Sequence, residues 1–376
     1  MNRYYAYLLF LNMLSNIVPL AGITLLEHRF DGAVPALLLA IPIGGVFIFV
    51  FTKLFARFPN QGFPEIAFDS LPKAAAAGLV LLQSAFWFIG GAVALLYISE
   101  VTKRFINPDF TPTEALVLFL AVVVLFVNQP SVKLLYMLEI MLLISVPLLV
   151  LVLFKALFSN TLMTDSMWEV AGHFAELPSL LSFSAAAFMM SGFMSLTVFN
   201  RAIAPNVKKP GYLLALAAIG AIQVLLTFLL PVGFHGADGV AELTYPWFVT
   251  ADSLRLTYGF IERVLYVFLL AYVLISVMSL LIFWHIGLEH AKPLLPRFIR
   301  SPSLRALFPY AILAALSAAV IVLENRSGLA LIRDAADAWL WMYVPNVLLV
   351  LAVLAWAAYK ERQSDRTEGS DEAVSH

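Results

Sequence analysis

Ten stretches of this chain are apolar for about the length a helix needs to cross a bilayer, roughly 20 residues. They cover residues 5–26, 33–55, 74–102, 113–127, 134–158, 177–199, 212–234, 260–286, 304–323 and 338–359. Continuous runs of this kind exclude a membrane β-barrel, whose strands alternate over roughly 10 residues. Composition agrees: 62% of the 376 residues are hydrophobic and 12% charged, against about 45–50% and 25% in soluble domains. The expectation is an all-α polytopic membrane protein with about ten transmembrane helices in one domain over residues 1–359. Arg3 before an apolar run resembles a signal peptide, but Asn16 interrupts that run and a second span follows within a few residues. It reads as a membrane span. The fourth, of about 15 residues, is short for a crossing.

A net charge of −1 offers no basic surface for nucleic acid, and the absence of cysteine excludes disulfides and thiolate sites. Lys and Arg nevertheless divide unevenly between the two sides. Fifteen, including Lys53, Arg57, Lys73, Lys133, Arg201, Lys292 and Arg305, fall on the side of the termini, and seven fall opposite. The positive-inside bias therefore predicts that both termini are cytoplasmic. After Tyr359 the chain turns polar, and residues 360–376 read as a disordered tail with no core of their own.

Irregular backbone inside a membrane is tolerated only where it lines a protein cavity. Two spans carry candidate breaks, at matching positions if the chain is two repeats of five helices, about 5–158 and 177–359. In the first, Pro19 removes a helical N–H and crowds the carbonyl of Ser15; Ser15, Asn16 and Ile17 become candidate ligand contacts. In the sixth, Met190, Ser191 and Gly192 form the equivalent candidate set. Paired interruptions of this kind point to a transporter-type site at the midplane, although Gly and Ser also serve ordinary helix contacts. Exposed amide N–H groups at such breaks suit a carboxylate, and exposed carbonyls suit an ammonium or cation.

Glu139, inside the fifth span, is a candidate coupling or gating carboxylate, with an ion pair to Lys133 or a loop cation as the plainer alternative. Ser276 and Ser279, three apart on the eighth span, could supply oxygens to a cation such as sodium, or simply bond their own helix. The six histidines form no metal-binding or catalytic spacing, and no phosphate or dinucleotide loop occurs. Neither an enzyme nor a cofactor or bound metal is expected.

One stretch is more specific. The loop before the eighth span reads Tyr245-Pro246-Trp247-Phe248-Val249, then Leu254-Arg255, then Gly259-Phe260-Ile261-Glu262-Arg263. With Arg57-Phe58-Pro59 after the second span and Glu139 after a basic loop, it resembles the GerAB-type spore germination proteins. These are the B-subunits of germinant receptors, within the amino acid/polyamine/organocation transporter superfamily. The resemblance extends over nearly all of residues 5–295. It implies a five-plus-five inverted repeat (LeuT/APC-like), a spore inner-membrane location in a spore-forming bacterium, A- and C-type partner subunits, and a small germinant, often an amino acid. Glu262 and Arg263 fit the family pattern and suggest a gate or subunit contact. Two positions depart from it: Leu14 replaces the usual glycine of the first break, and Phe193 follows Gly192 where the family often has glutamate.

The leading expectation is thus a germinant-binding receptor subunit that triggers germination. A proton- or sodium-coupled secondary amino-acid permease is the alternative, and a structural subunit with a vestigial pocket is a third reading.

Overall fold

The computed structural model of the protein describes residues 3–15, 20–203, 210–255, 262–295, 301–326 and 328–374. Helix dominates it, and among the described residues the only extended pairing is a single bridge between Arg255 and Arg263. The helices in chain order are α1 (Arg3–Ser15), α2 (Ala21–Glu27), α3 (Ala33–Phe55), α4 (Phe63–Ser70), α5 (Lys73–Val101), α6 (Pro112–Phe126), α7 (Ser131–Leu157) and α8 (Thr164–Ala171). They continue with α9 (Leu180–Met189), α10 (Leu196–Phe199), α11 (Pro210–His235), α12 (Pro246–Ser253), α13 (Val264–Ala291), α14 (Pro302–Arg326), α15 (Leu329–Trp341) and α16 (Tyr343–Val374).

Seven of these helical stretches are long and apolar enough to cross a membrane, and α9 with α10 makes an eighth, bent by 72°. The expected first span is divided into α1 and α2, and the expected fourth is α6, only 15 residues long. Local chemistry explains several boundaries. Thr111 and Glu114 cap α6 reciprocally, the Thr111 hydroxyl accepting from Glu114 N at 3.2 Å and the Glu114 carboxylate from Thr111 N at 2.8 Å. Ser179 caps α9 by accepting from Ser182 N at 3.0 Å.

Three short helices were not foreseen: α4 between the second and third spans, and α8 and α12 in the long loops. The last helix, α16, runs on through the polar segment to Val374. Lys, Glu, Arg and Gln are good helix formers, so an existing helix propagates into a polar segment without needing a core.

The centre of the molecule is α13, two-thirds buried over its apolar window, which packs most extensively on α5 and α7. Against this column lies α1, crossing the Ser191–Ser195 turn between α9 and α10, while α3 packs along α9 and α11. At the periphery α14 is only 17% buried and leans chiefly on α6. The two broken helices are therefore held against each other in the interior.

Candidate functional site

A small cavity lies beside the first break, lined by Ser15 of α1, Leu20, Ala94 of α5, Phe188 of α9, and Tyr272, Ser276, Ser279 and Phe283 of α13. Its volume is about 20 Å³, room for one water-sized occupant. Ser15 Oγ donates to Asn12 O at 3.0 Å and Ser279 Oγ donates to Ile275 O at 2.9 Å. Both oxygens keep lone pairs for an ammonium or a cation. The Tyr272 hydroxyl, beside Ser276 and buried, makes no hydrogen bond of ordinary geometry among the described residues. An unpaired buried hydroxyl costs about 1–3 kcal/mol, and its proton is available to an acceptor such as a carboxylate. Leu20, where the helix resumes, has φ 59°, a left-handed conformation that is an outlier for a bulky residue and stores strain.

The structure therefore brings together Ser15, Ser276 and Ser279 from the expected set, and separates them from the rest. Asn16 and Ile17 lie outside the described residues, as do residues 259–261 of the outer motif. Met190, Ser191 and Gly192 do not line the cavity. Ser191 N and Oγ both donate to Asn12 Oδ1, at 3.0 and 3.2 Å, and Oγ also reaches Phe188 O at 2.6 Å. Gly192 sits on the α1 backbone: a Cβ there would stand 2.5 Å from Leu9 Cα and 2.7 Å from Leu8 O. Met190 is buried against Gly44 of α3 and Gly220 of α11. The sixth-span break thus serves as a seat for α1. Phe193 turns toward α3, its ring 4.7 Å from Phe51 and 5.9 Å from Phe47.

Glu139 is also placed differently. Its partner is not Lys133, which bonds Gln129 Oε1 at 3.3 Å, but Arg3 at 3.0 Å, with the Tyr4 hydroxyl donating at 3.2 Å. The carboxylate fastens the start of α1 to α7. Arg263 pairs with Asp252 of α12 at 3.8 Å, tying the loop helix to the head of α13, where Val264 N donates to Leu254 O. Glu262, next to it, is exposed at the same rim.

Two further clusters had no sequence signal. Arg201, just beyond α10, donates to Glu65 of α4 at 2.8 and 3.1 Å and to Glu289 of α13 at 2.6 Å, and Glu289 is also bonded to Lys292. Asn200 Nδ2 donates to the carbonyls of Phe55, Phe58 and Gln61. At the opposite end α2 is held to α15 by Glu27–Arg333 at 2.7 Å and by Thr24 Oγ1 donating to Asp337 Oδ1 at 2.8 Å. Each of these clusters latches neighbouring helices together. Tyr272 was legible: residues 272, 276 and 279 share one face of α13 by helical spacing.

The fold is similar to that of a solved Na⁺-coupled sialic acid symporter in its substrate-bound outward-open state, with a TM-score of 0.59 at 10% sequence identity. The match covers 93% of this chain and 78% of that one, and is a likeness of fold. No curated protein matches the chain by sequence. A family profile described as spore germination protein does match, over residues 21–325. With that span and a transporter-like all-helical fold, the chain belongs to the spore germination protein family.

Proposed function

We propose that the protein is the membrane subunit of a spore germinant receptor, binding a small germinant in the cavity at the first helix break. The observation that carries this reading is the convergence of Ser15, Tyr272, Ser276 and Ser279 on one buried space in a chain of this family. Lone pairs on two serines and one free tyrosine proton suit the two ends of a zwitterionic amino acid, and Leu20, Ala94, Phe188 and Phe283 suit an apolar side chain. At about 20 Å³ the cavity is too small for any amino acid, so binding requires one of the latches to release. That coupling of occupancy to shape is what a receptor needs. The architecture that fits is ten spans in a five-plus-five inverted repeat, in the spore inner membrane, with both termini cytoplasmic. A- and C-type receptor subunits are the partners that would read out the change.

A coupled amino-acid permease is the second reading, favoured by the symporter-like fold and by Ser276 and Ser279 as oxygen donors to a sodium ion. A proton-coupled version is disfavoured by Glu139, whose ion pair with Arg3 would have to break at each protonation. The deciding experiment is a thermal-shift screen of the purified protein across the twenty amino acids, followed by uptake in proteoliposomes. Stabilisation by one or a few amino acids without accumulation supports the receptor. Gradient-driven accumulation by the protein alone, abolished in Glu139→Gln, replaces it with the permease. No stabilisation by any of them removes the amino-acid assignment.

A further inference from the structure

Trp339 of α15 does not line the cavity, yet it stands behind two of its walls. Its ring centroid lies 4.9 Å from that of Phe188, edge to face, and 6.2 Å from that of Phe283, and both phenyl rings line the cavity. The indole is itself held on its other side by α5. Its Nε1 donates to Phe86 O at 2.8 Å, and it stacks on the Phe86 ring at 4.8 Å. At Gly90 it rests on the backbone: a Cβ there would stand 2.6 Å from Cζ2, 2.7 Å from Cε2 and 2.9 Å from Nε1. One turn further along α5, Ala94 lines the cavity itself. The helix thus offers a small side chain to the space and bare backbone to the indole that bounds it.

We infer, on the reading of this cavity as a ligand site, that Trp339 is a positioning residue: through Phe188 and Phe283 it fixes the width of the apolar end, and so the longest side chain a ligand can bring there. Interiors are close-packed, so a wall retreats only where something behind it yields. Behind Phe188 stand Trp339 and, at 5.1 Å, Tyr343; behind Phe283 stand Trp339 and, at 5.1 Å, Trp87. All three backing rings are buried. Trp339 is the one that both walls share. It is also the one whose polar atom is bonded, since among the described residues Trp87 Nε1 and the Tyr343 hydroxyl have no partner of ordinary geometry. Turning the indole aside costs that bond and its contact with α5.

Substitutions on the two sides of this contact therefore act in opposite directions. Trp339→Leu removes the ring and leaves an apolar void into which Phe188 or Phe283 can swing; such a void stays dry and accepts an apolar group. Gly90→Ala keeps the indole but sets a Cβ 2.6 Å from it, where carbon contacts settle near 3.5–4.0 Å. The ring must then shift by about 1 Å away from α5, toward the two walls. The first change widens the site and the second narrows it, although both disturb the same packing. One methylene in an apolar pocket is worth about 10-fold or more in discrimination, so wall movements of ångström size change which side chain fits.

The chain has no cysteine, so Ala94→Cys places a single thiol in the cavity and reports its width without any germinant. The full-length protein is treated with methyl and benzyl methanethiosulfonate, and the ratio of the two labelling rates is read by mass spectrometry. In this background Trp339→Leu should raise the benzyl-to-methyl ratio by about 10-fold or more, and Gly90→Ala should lower it. A merely structural role moves both rates together and leaves the ratio where it was. Trp339→Phe keeps an aromatic ring and should raise the ratio in the same sense, which covers a Trp339→Leu that fails to fold. In a thermal-shift screen across the twenty amino acids, the Trp339 variants without the Ala94 change should move the preference toward longer apolar side chains. An unchanged ratio in the folded Trp339 variants, or a rise in Gly90→Ala, overturns the role of Trp339 and leaves the amino-acid assignment to its own screen. Ratios that move as expected, with no stabilisation by any amino acid, establish Trp339 as the support of the walls and remove the amino-acid assignment. Absence of labelling by either reagent in every variant also overturns the role, because a site that never opens selects nothing.

Discussion

Replacing Gly192 by alanine tests the seat on which the two broken helices meet. The added methyl would lie 2.5 Å from Leu9 Cα and 2.7 Å from Leu8 O, whereas carbon contacts settle near 3.5–4.0 Å. Both obstacles are backbone, so no rotamer change relieves them, and α1 must retreat by about 1 Å. That retreat stretches the two bonds from Ser191 to Asn12 Oδ1, now 3.0 and 3.2 Å, beyond hydrogen-bonding range. Overpacking costs about 1–3 kcal/mol, and two weakened buried bonds add about 1 kcal/mol each. The gain in helix propensity is at most about 1 kcal/mol. The net expectation is a loss of about 2–4 kcal/mol. Thermal unfolding in detergent, followed by tryptophan fluorescence, measures it. The control is Gly78→Ala: that glycine is exposed on α5, and a Cβ there meets nothing within 4 Å, so the variant should be unchanged or slightly more stable. Equal stability of Gly192→Ala and the unmodified protein would refute the direct contact of helix backbones.

Tyr272→Phe removes a buried hydroxyl that makes no hydrogen bond of ordinary geometry among the described residues; the protein alone should be as stable as before or more stable by up to about 1 kcal/mol, while any thermal shift produced by an amino acid disappears. Arg201→Ala leaves Glu65 and Glu289 without their shared cation and should cost about 2–3 kcal/mol; Arg201→Lys should recover only part, because an ammonium cannot span both carboxylates as the guanidinium fork does. Burial beneath α15 raises the Glu27 carboxyl above its ordinary value, against the opposing pull of Arg333. The folded protein then binds that proton more tightly than the unfolded chain, so the contribution is full below the ordinary carboxylate pKa and is lost as pH rises through the raised value. Thermal midpoints of the unmodified protein between about pH 4 and 7 should fall relative to those of Glu27→Gln as pH increases.

Seven of the ten expected spans, and an eighth that is bent, were legible because apolar length is a property of sequence alone, whereas the expected first and fourth are shorter helices. The site was legible only in part. Ser15, Ser276 and Ser279 line one cavity, and Tyr272, not among the expected residues, shares the face of Ser276 and Ser279 by helical spacing. Gly192 did not behave as its composition suggested, since a small residue at a break leaves equally well a space for ligand or a close approach of two helices. Only the position of Leu8 and Leu9 distinguishes them. For Glu139 the sequence offers a coupling or gating role, or an ion pair with Lys133 or a loop cation; the cation it meets, Arg3, lies on the adjoining helix, 136 residues away. The Arg201 cluster gathers residues from α4, the end of α10 and α13, and nothing local in any of those segments anticipates it.

The bend at Ser191–Ser195 gives the tip of the second half-helix a lever arm. From Ser191 to Arg201 the chain advances about 15 Å at helical rise. A swing of only about 4° about the bend therefore displaces Arg201 by about 1 Å. Its bonds to Glu65 and Glu289, at 2.8 and 2.6 Å, do not survive that lengthening as hydrogen bonds of normal geometry. The arm is thus tied at its far end by two carboxylates and seated at its pivot on the backbone of α1. A side-chain rearrangement of ångström size around Phe188, next to the pivot, is large enough to switch the charged cluster at the far end from paired to unpaired.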